Sequence, residues 1–224
     1  MLKIENIEIM NIKGALRGMR NPMNSWGSSD SYLCSGNSKF EGCYTCEDKN
    51  KCINGYKVGV NDMALAEKLC KAGSDHRKFI RQIIVSLDIT APLYWWKEFD
   101  TYKVGTVANS TSTMHKLTSK PIVVSDFSFD NDVSEVYKED IKTIVDICEN
   151  LRQTYNMSKD KEIWRMLIQM LPESYNQKRT VTLNYEVLTN IYKSRRGHKL
   201  DEWHTFCEMI EDLPLSNLII IAAN

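Results

Sequence analysis

Residues 82–89, QIIVSLDI, place Ile83, Val85, Leu87 and Ile89 on one side and Gln82, Ser86 and Asp88 on the other. A period of two puts alternate side chains on one face of a strand, so this segment predicts a half-buried β-strand. A weaker alternation around Ile4, Ile7 and Ile9 predicts a second strand within 2–12, followed by a break at Gly14 and a short helix in ALRGM. Elsewhere the period is helical. Val133, Tyr137, Ile141, Ile144, Val145, Cys148 and Leu151 step by three and four and predict a long helix over about 133–156. Further helices are predicted at 62–72, capped by Asn61 and stopped at Gly73, and from Leu93, with Thr90 as cap and Pro92 in the first turn. Others follow at 159–170, capped by Ser158, at 182–195 and at 200–212. The apolar end LIIIAAN reads as an edge strand or a subunit contact. The sum is an α+β chain, one domain over 1–224, with the longest helices in its second half.

Residues 20–59 carry neither period. A stretch this long without structure of its own is usually functional or internally cross-linked. It holds Cys34, Cys43, Cys46 and Cys52, spaced C-x8-C-x2-C-x5-C, in a Cys-rich insert at about 30–57. The Cys43/Cys46 pair has chelating spacing, and two more thiols would complete a tetrahedral set. With few aliphatic side chains nearby, a metal would supply ordering energy. Zinc is the first expectation and an iron–sulfur cluster the alternative; four reduced, unconnected thiols are the bland reading. Cys70, Cys148 and Cys207 sit on apolar helix faces and read as core.

The chain has 224 residues, 42% hydrophobic and 26% charged, with 29 Lys+Arg against 29 Asp+Glu. Zero net charge and the lack of a basic stripe argue against a nucleic-acid partner. The N-terminus lacks the features of a signal peptide, and the run 218–223 is far short of a membrane span, so the expectation is a cytoplasmic protein with no membrane partner.

The row Asn109-Ser110-Thr111-Ser112-Thr113 consists of short hydroxyl and amide side chains. Such residues grip phosphate or ring heteroatoms without adding charge, but they also build turns that satisfy their own backbone. The preceding Trp95 and Trp96 read first as core and second as a stacking platform. His198 and His204 read as surface residues, and SRRGHK (194–199) as either a solvated helix end or an anion site.

The order of features along the chain resembles the flavin-dependent thymidylate synthase (ThyX) family. The segment from KAGSDHRKF through LYWWKEFDTYKVGTVANSTSTMH (71–115) follows that family's strand, Ala-Pro, aromatic helix and signature. The family's signature is Arg-His-Arg, seven or eight residues, then Ser. Here Thr101-Tyr102-Lys103 stands in the first place and Ser112 follows after eight residues, with Asn109 at the family's Asn. MLPESYNQKRTVTLNYEVLTNIYKSRRGHKLDEW (170–203) is similar to the family's later stretch, and RNPMNSW (20–26) to its Ser loop.

The resemblance implies a ThyX-like fold: a central, mostly antiparallel sheet with helices packed on it. It implies FAD as cofactor, with Ser25, His76, Tyr102, Lys103, Asn184 and Asn190 as its contacts. It implies a pyrimidine nucleotide (dUMP) as substrate, lined by Asn109, Ser110, Thr111, Ser112 and Arg195 or Arg196. Folate and NADPH would be co-substrates, C5 methylation the reaction, and a homo-oligomer, favouring a tetramer, the assembly. No protein nucleophile is implied. The departures are as specific. Thr101, Met114, Glu186 and Ile168 stand where the family has Arg, and Ser110 where it has Glu. Each lost charge-assisted bond removes about 1.5–3 kcal/mol. Lys97, Arg77, Lys78, Lys178 and Arg179 are the candidate replacements. The alternative is a non-catalytic nucleotide-binding or interaction protein that kept the fold and lost flavin chemistry.

Overall fold

The computed structural model describes residues 2–34, 52–53, 55–130 and 132–224. The strands among these residues are β1 (Lys3–Met10), β2 (Tyr32–Leu33), β3 (Cys52–Ile53), β4 (Tyr56–Lys57), β5 (Ile84–Pro92), β6 (Val107–Ser110) and β7 (Asn176–Asn184). One sheet has the order β1-β5-β7-β6; a smaller antiparallel one has the order β2-β4-β3. In β5 the predicted alternation is realised, with Val85, Leu87 and Ile89 at most 1% exposed. Its partner β7 runs antiparallel: Thr180 bonds Asp88, Thr182 bonds Ser86, and Tyr185 N–H donates to Ile83.

The helices are α1 (Ile12–Met19), α2 (Val60–Lys71), α3 (Leu93–Phe99), α4 (Thr113–Lys116), α5 (Glu135–Ser158), α6 (Lys161–Met170), α7 (Tyr185–Arg195), α8 (Asp201–Glu211) and α9 (Ser216–Ala223). The chain divides into two compact units. The first comprises Met1–Ile7, Leu87–Lys103 and Val107–Val181. Within it α5 packs on α6 around Leu117, Ile122, Phe127, Val145, Cys148 and Leu167. Trp95 and Trp96 are fully buried, Trp95 stacked on Phe99 and Trp96 edge-on to it, which settles them as core; the Trp96 indole N–H donates to the Gln177 carbonyl. The second unit comprises Glu8–Ser86, Val104–Thr106 and Thr182–Asn224, where α2, α7, α8 and α9 pack together.

Several boundaries differ from the sequence expectations. The helix expected from 182 is a strand as far as Asn184, and only then α7. The expected edge strand at the C-terminus is helix α9, with Leu218, Ile219, Ala222 and Ala223 buried. A helix apolar on all sides suits burial among other helices, which overrides the β preference of Ile. Ser158 ends α5 instead of capping α6; Asp160 does that, its carboxylate accepting from Glu162 N–H. Thr90 lies inside β5 rather than capping α3.

The N-terminus of α2 is not capped by Asn61 but from a distance. Asp30 accepts from the backbone N–H of Asn61 at 2.9 Å and of Asp62 at 3.0 Å. Those donors have no partner within the helix, and they hold the Asp30 carboxyl below its usual value. Asp30 packs so close that a Cβ at Gly59 would lie 2.2 Å from its carboxyl carbon. Asp30→Ala is therefore expected to lower stability by about 1 kcal/mol, measured by urea unfolding; an unchanged midpoint would refute the long-range cap.

Candidate functional site

In the first unit the polar row begins in a strand and ends in a helix, with Thr111 and Ser112 joining the two. Val107–Ser110 form β6, the edge strand beside β7, and all four are exposed. The backbone of Thr111 continues the contact, its N–H donating to Lys178 and its carbonyl accepting from the Gln177 side chain at 2.8 Å. Ser112 then caps α4, its hydroxyl accepting from His115 N–H at 3.1 Å. The result is a paired backbone displaying Asn109, Ser110 and Thr111 to solvent. Tyr102 is half-buried, and Lys103 exposed, just after α3.

In the second unit Asn184 is partly used. Its side-chain oxygen accepts from Val187 N–H at 3.1 Å and caps α7, while its amide nitrogen faces Gly105. Asn190 and His76 are exposed, and Ser25 is half-buried with its carbonyl accepting from Arg20. The Arg195 guanidinium stacks 4.8 Å from the Trp203 ring centre; Arg196 donates to Asn224 at 2.9 Å. Ser25, His76, Asn184, Asn190, Arg195 and Arg196 thus share this unit, and Tyr102, Lys103 and 109–112 share the other.

The cations that were candidates to replace the family's arginines are mostly neutralised. Arg77 donates from Nε and Nη2 to Glu186 and from Nη1 to the Ala222 carbonyl; the two side chains are only 12% and 13% exposed. Lys178 sits 3.0 Å from Asp88, whose carboxyl is lowered to about 2 by bonds from Thr180, Asn6 and Lys178. Arg179 pairs with Asp100 at 2.7 Å and lies over Trp96; Lys97 pairs with Glu173. Ile168 packs against the α5/α6 core. In the second unit Arg77, next in sequence to the expected flavin contact His76, thus has its charge matched by Glu186.

Two parts of the second unit were not anticipated. One is a buried cluster around Asp62. Arg20, 4% exposed, donates Nε to Asp62 at 2.5 Å, and the hydroxyls of Ser29 and Ser31 donate to the other carboxylate oxygen. The other is a cleft bordered by Lys13, Arg17, Trp26, Tyr32 and Tyr56. The i,i+4 spacing of Lys13 and Arg17 was the available signal.

The metal expectation falls largely outside the described residues, which exclude Cys43, Cys46 and the side chain of Cys52; Cys34 is exposed. Among the described residues no group of three His, Cys, Asp or Glu could hold a metal ion. Cys70, Cys148 and Cys207 are buried, and burial pushes the Cys70 thiol up to about 12 and Cys207 to about 11, so all three are core thiols. Among the described residues no helix is long and apolar enough to cross a membrane.

An antiparallel sheet that carries an exposed polar edge, packed with helices in α+β order, defines a fold class that solved structures share. The chain is similar to thymidylate synthase X (ThyX) from Helicobacter pylori, crystallised with FAD and dUMP: TM-score 0.70, 14% identity, covering 99% of this chain and 97% of that chain. A second structure of that Helicobacter pylori enzyme with FAD and dUMP gives a TM-score of 0.68 at 14% identity, over 97% and 98% of the two chains. The UMP/dUMP methylase PolB from Streptomyces cacaoi, bound with 5-Br dUMP, gives 0.57 at 13% identity, over 100% and 93%. No family model matches the sequence, and no curated protein matches it. The fold is ThyX-like.

Proposed function

We propose that this protein binds a pyrimidine deoxynucleotide along Asn109–Ser112 and acts on it as the flavin-dependent thymidylate synthases do. The reaction would be methyl transfer to C5 of dUMP, with FAD, folate and NADPH as co-reactants, in a homotetramer. The observation that supports this most is the polar row on β6, whose backbone is already paired while its side chains remain open. Near full-length likeness to folds crystallised with dUMP and 5-Br dUMP adds weight. The flavin would supply the redox chemistry; this chain's residues would bind and orient the nucleotide. Zinc, or an iron–sulfur cluster, in the Cys-rich insert belongs to the same proposal.

A second reading has its own support. With Arg77, Lys178, Arg179 and Lys97 each paired to a carboxylate, a nucleotide-binding protein without flavin fits the charge distribution. The absorption spectrum of the purified protein, with titration of FAD and dUMP, separates the two. Flavin uptake and dUMP-dependent flavin reoxidation support the enzyme. A colourless protein that takes up no flavin but binds dUMP supports the second reading.

Asn109→Asp tests the site itself. A carboxylate beside the nucleotide's anion is expected to weaken dUMP binding at least tenfold, about 1.4 kcal/mol, by calorimetry. Unchanged affinity would move the nucleotide away from β6.

A further inference from the structure

Lys13 and Arg17 stand one helical turn apart on the exposed side of α1, opposite the buried Ile12, Ala15, Leu16 and Met19. They form one rim of a cleft of about 290 Å³. That is near the lower end of the size range of small-molecule sites. The other walls include Trp26, Tyr32 and Tyr56. Trp26 and Tyr32 are 51% and 53% exposed, which leaves much aromatic surface facing solvent. Trp26 is nevertheless held in place, its indole N–H donating to Asn21 at 2.8 Å.

Among the described residues that border the cleft the charge is one-sided. Arg20 lies at its wall, and its charge is matched by the buried Asp62. The nearby Asp30 is engaged by the backbone N–H groups that open α2. Lys13 and Arg17 have no ion-pair partner among the described residues. Two adjacent cations match an anion of charge near −2, and an Arg fork grips phosphate oxygens in pairs. The half-exposed rings beside them accept a planar ring, Trp26 first, since the Lys57 ammonium lies over one face of Tyr32 at 5.9 Å.

We propose that this cleft binds a heteroaromatic ring carrying a phosphate, a ligand of mononucleotide size, with the phosphate on Lys13 and Arg17 and the ring against Trp26 and Tyr32. The site lies in the second unit and uses none of residues 109–112, so it stands whether or not the function proposed above holds. Tyr32 and Tyr56 come from β2 and β4, so these two strands would help build a ligand site.

Calorimetry on the full chain tests this with AMP, UMP, adenosine and inorganic phosphate as probes. AMP or UMP is expected to bind at least tenfold tighter than either adenosine or phosphate. The double variant K13E/R17E is expected to lose that affinity at least tenfold with an unchanged melting temperature; K13Q/R17Q replaces it if charge reversal shifts melting. Trp26→Ala is expected to weaken the nucleotide and leave phosphate unaffected. The proposal is overturned if neither nucleotide binds, if phosphate alone binds as tightly, or if the double variant binds nucleotide like the parent, which would place that binding elsewhere, such as on β6.

Discussion

Replacing Asp62 with alanine is expected to lower folding stability by about 3–5 kcal/mol, more than any other single change considered for this chain. The substitution removes the carboxylate from Arg20, which is 4% exposed, and leaves that guanidinium charged and buried. It also strands the Ser29 and Ser31 hydroxyls, which both donate to Asp62. Burial alone pushes the Asp62 carboxyl up, but the bonds from Ser29, Ser31 and Arg20 outweigh it and the net direction is down. A lowered folded value means the stabilisation is fully present above the ordinary 3.8 and is lost as pH falls through the lower folded value. Urea midpoints for the parent and Asp62→Ala should therefore converge in strong acid. A loss below about 1 kcal/mol at neutral pH would show that the Arg20 charge is satisfied in some other way.

Replacing Glu186 with alanine is the second large effect, about 2–3 kcal/mol. The Arg77–Glu186 pair is mostly but not wholly buried, so the penalty for an orphaned charge is reduced by residual solvent. Arg77 also holds the Ala222 carbonyl on α9, so its position should survive the loss of Glu186. The milder Glu186→Gln leaves Arg77 with its charge uncancelled. If flavin binding is limited by the missing cation, Glu186→Gln should raise FAD affinity while thermal stability falls. Equal FAD affinity in parent and variant would place the flavin phosphates away from Arg77.

β5 was legible because four aliphatic side chains at a strict period of two leave little alternative, and all four are buried. α5 was legible to within two residues by its helical steps, although only Val145 and Cys148 of that face are buried. β7 was not legible because only Val181 and Leu183 carry its apolar alternation. Its other inward positions are polar residues given partners by the fold: Gln177 bonds Thr111 and Arg179 lies over Trp96. β6 was hidden for a related reason, since a four-residue edge strand with every side chain exposed has no hydrophobic signal. The resemblance along the chain anticipated the fold that the solved structures share. It could not anticipate that Arg77 and Glu186 would pair across 109 residues of sequence, which only the folded arrangement brings together.

The clasp at Ser31 and Gly59 has a consequence of its own. Gly59 N–H donates to the Ser31 hydroxyl at 2.9 Å, and Asp30 next to it holds the start of α2. Ser31 and Gly59 therefore stand at one point of the second unit, so the two ends of the stretch that joins them already touch. Closing a loop costs little more when it is long than when it is short, since the entropy grows only as the logarithm of length. Such a segment is interchangeable. It could be shortened to a tight turn, or exchanged for a different one, and α1, α2 and the sheet would keep their own contacts. The scaffold and what it carries at this point can thus change independently, which is how a widely used fold can come to hold a cysteine-rich extension without rebuilding its core.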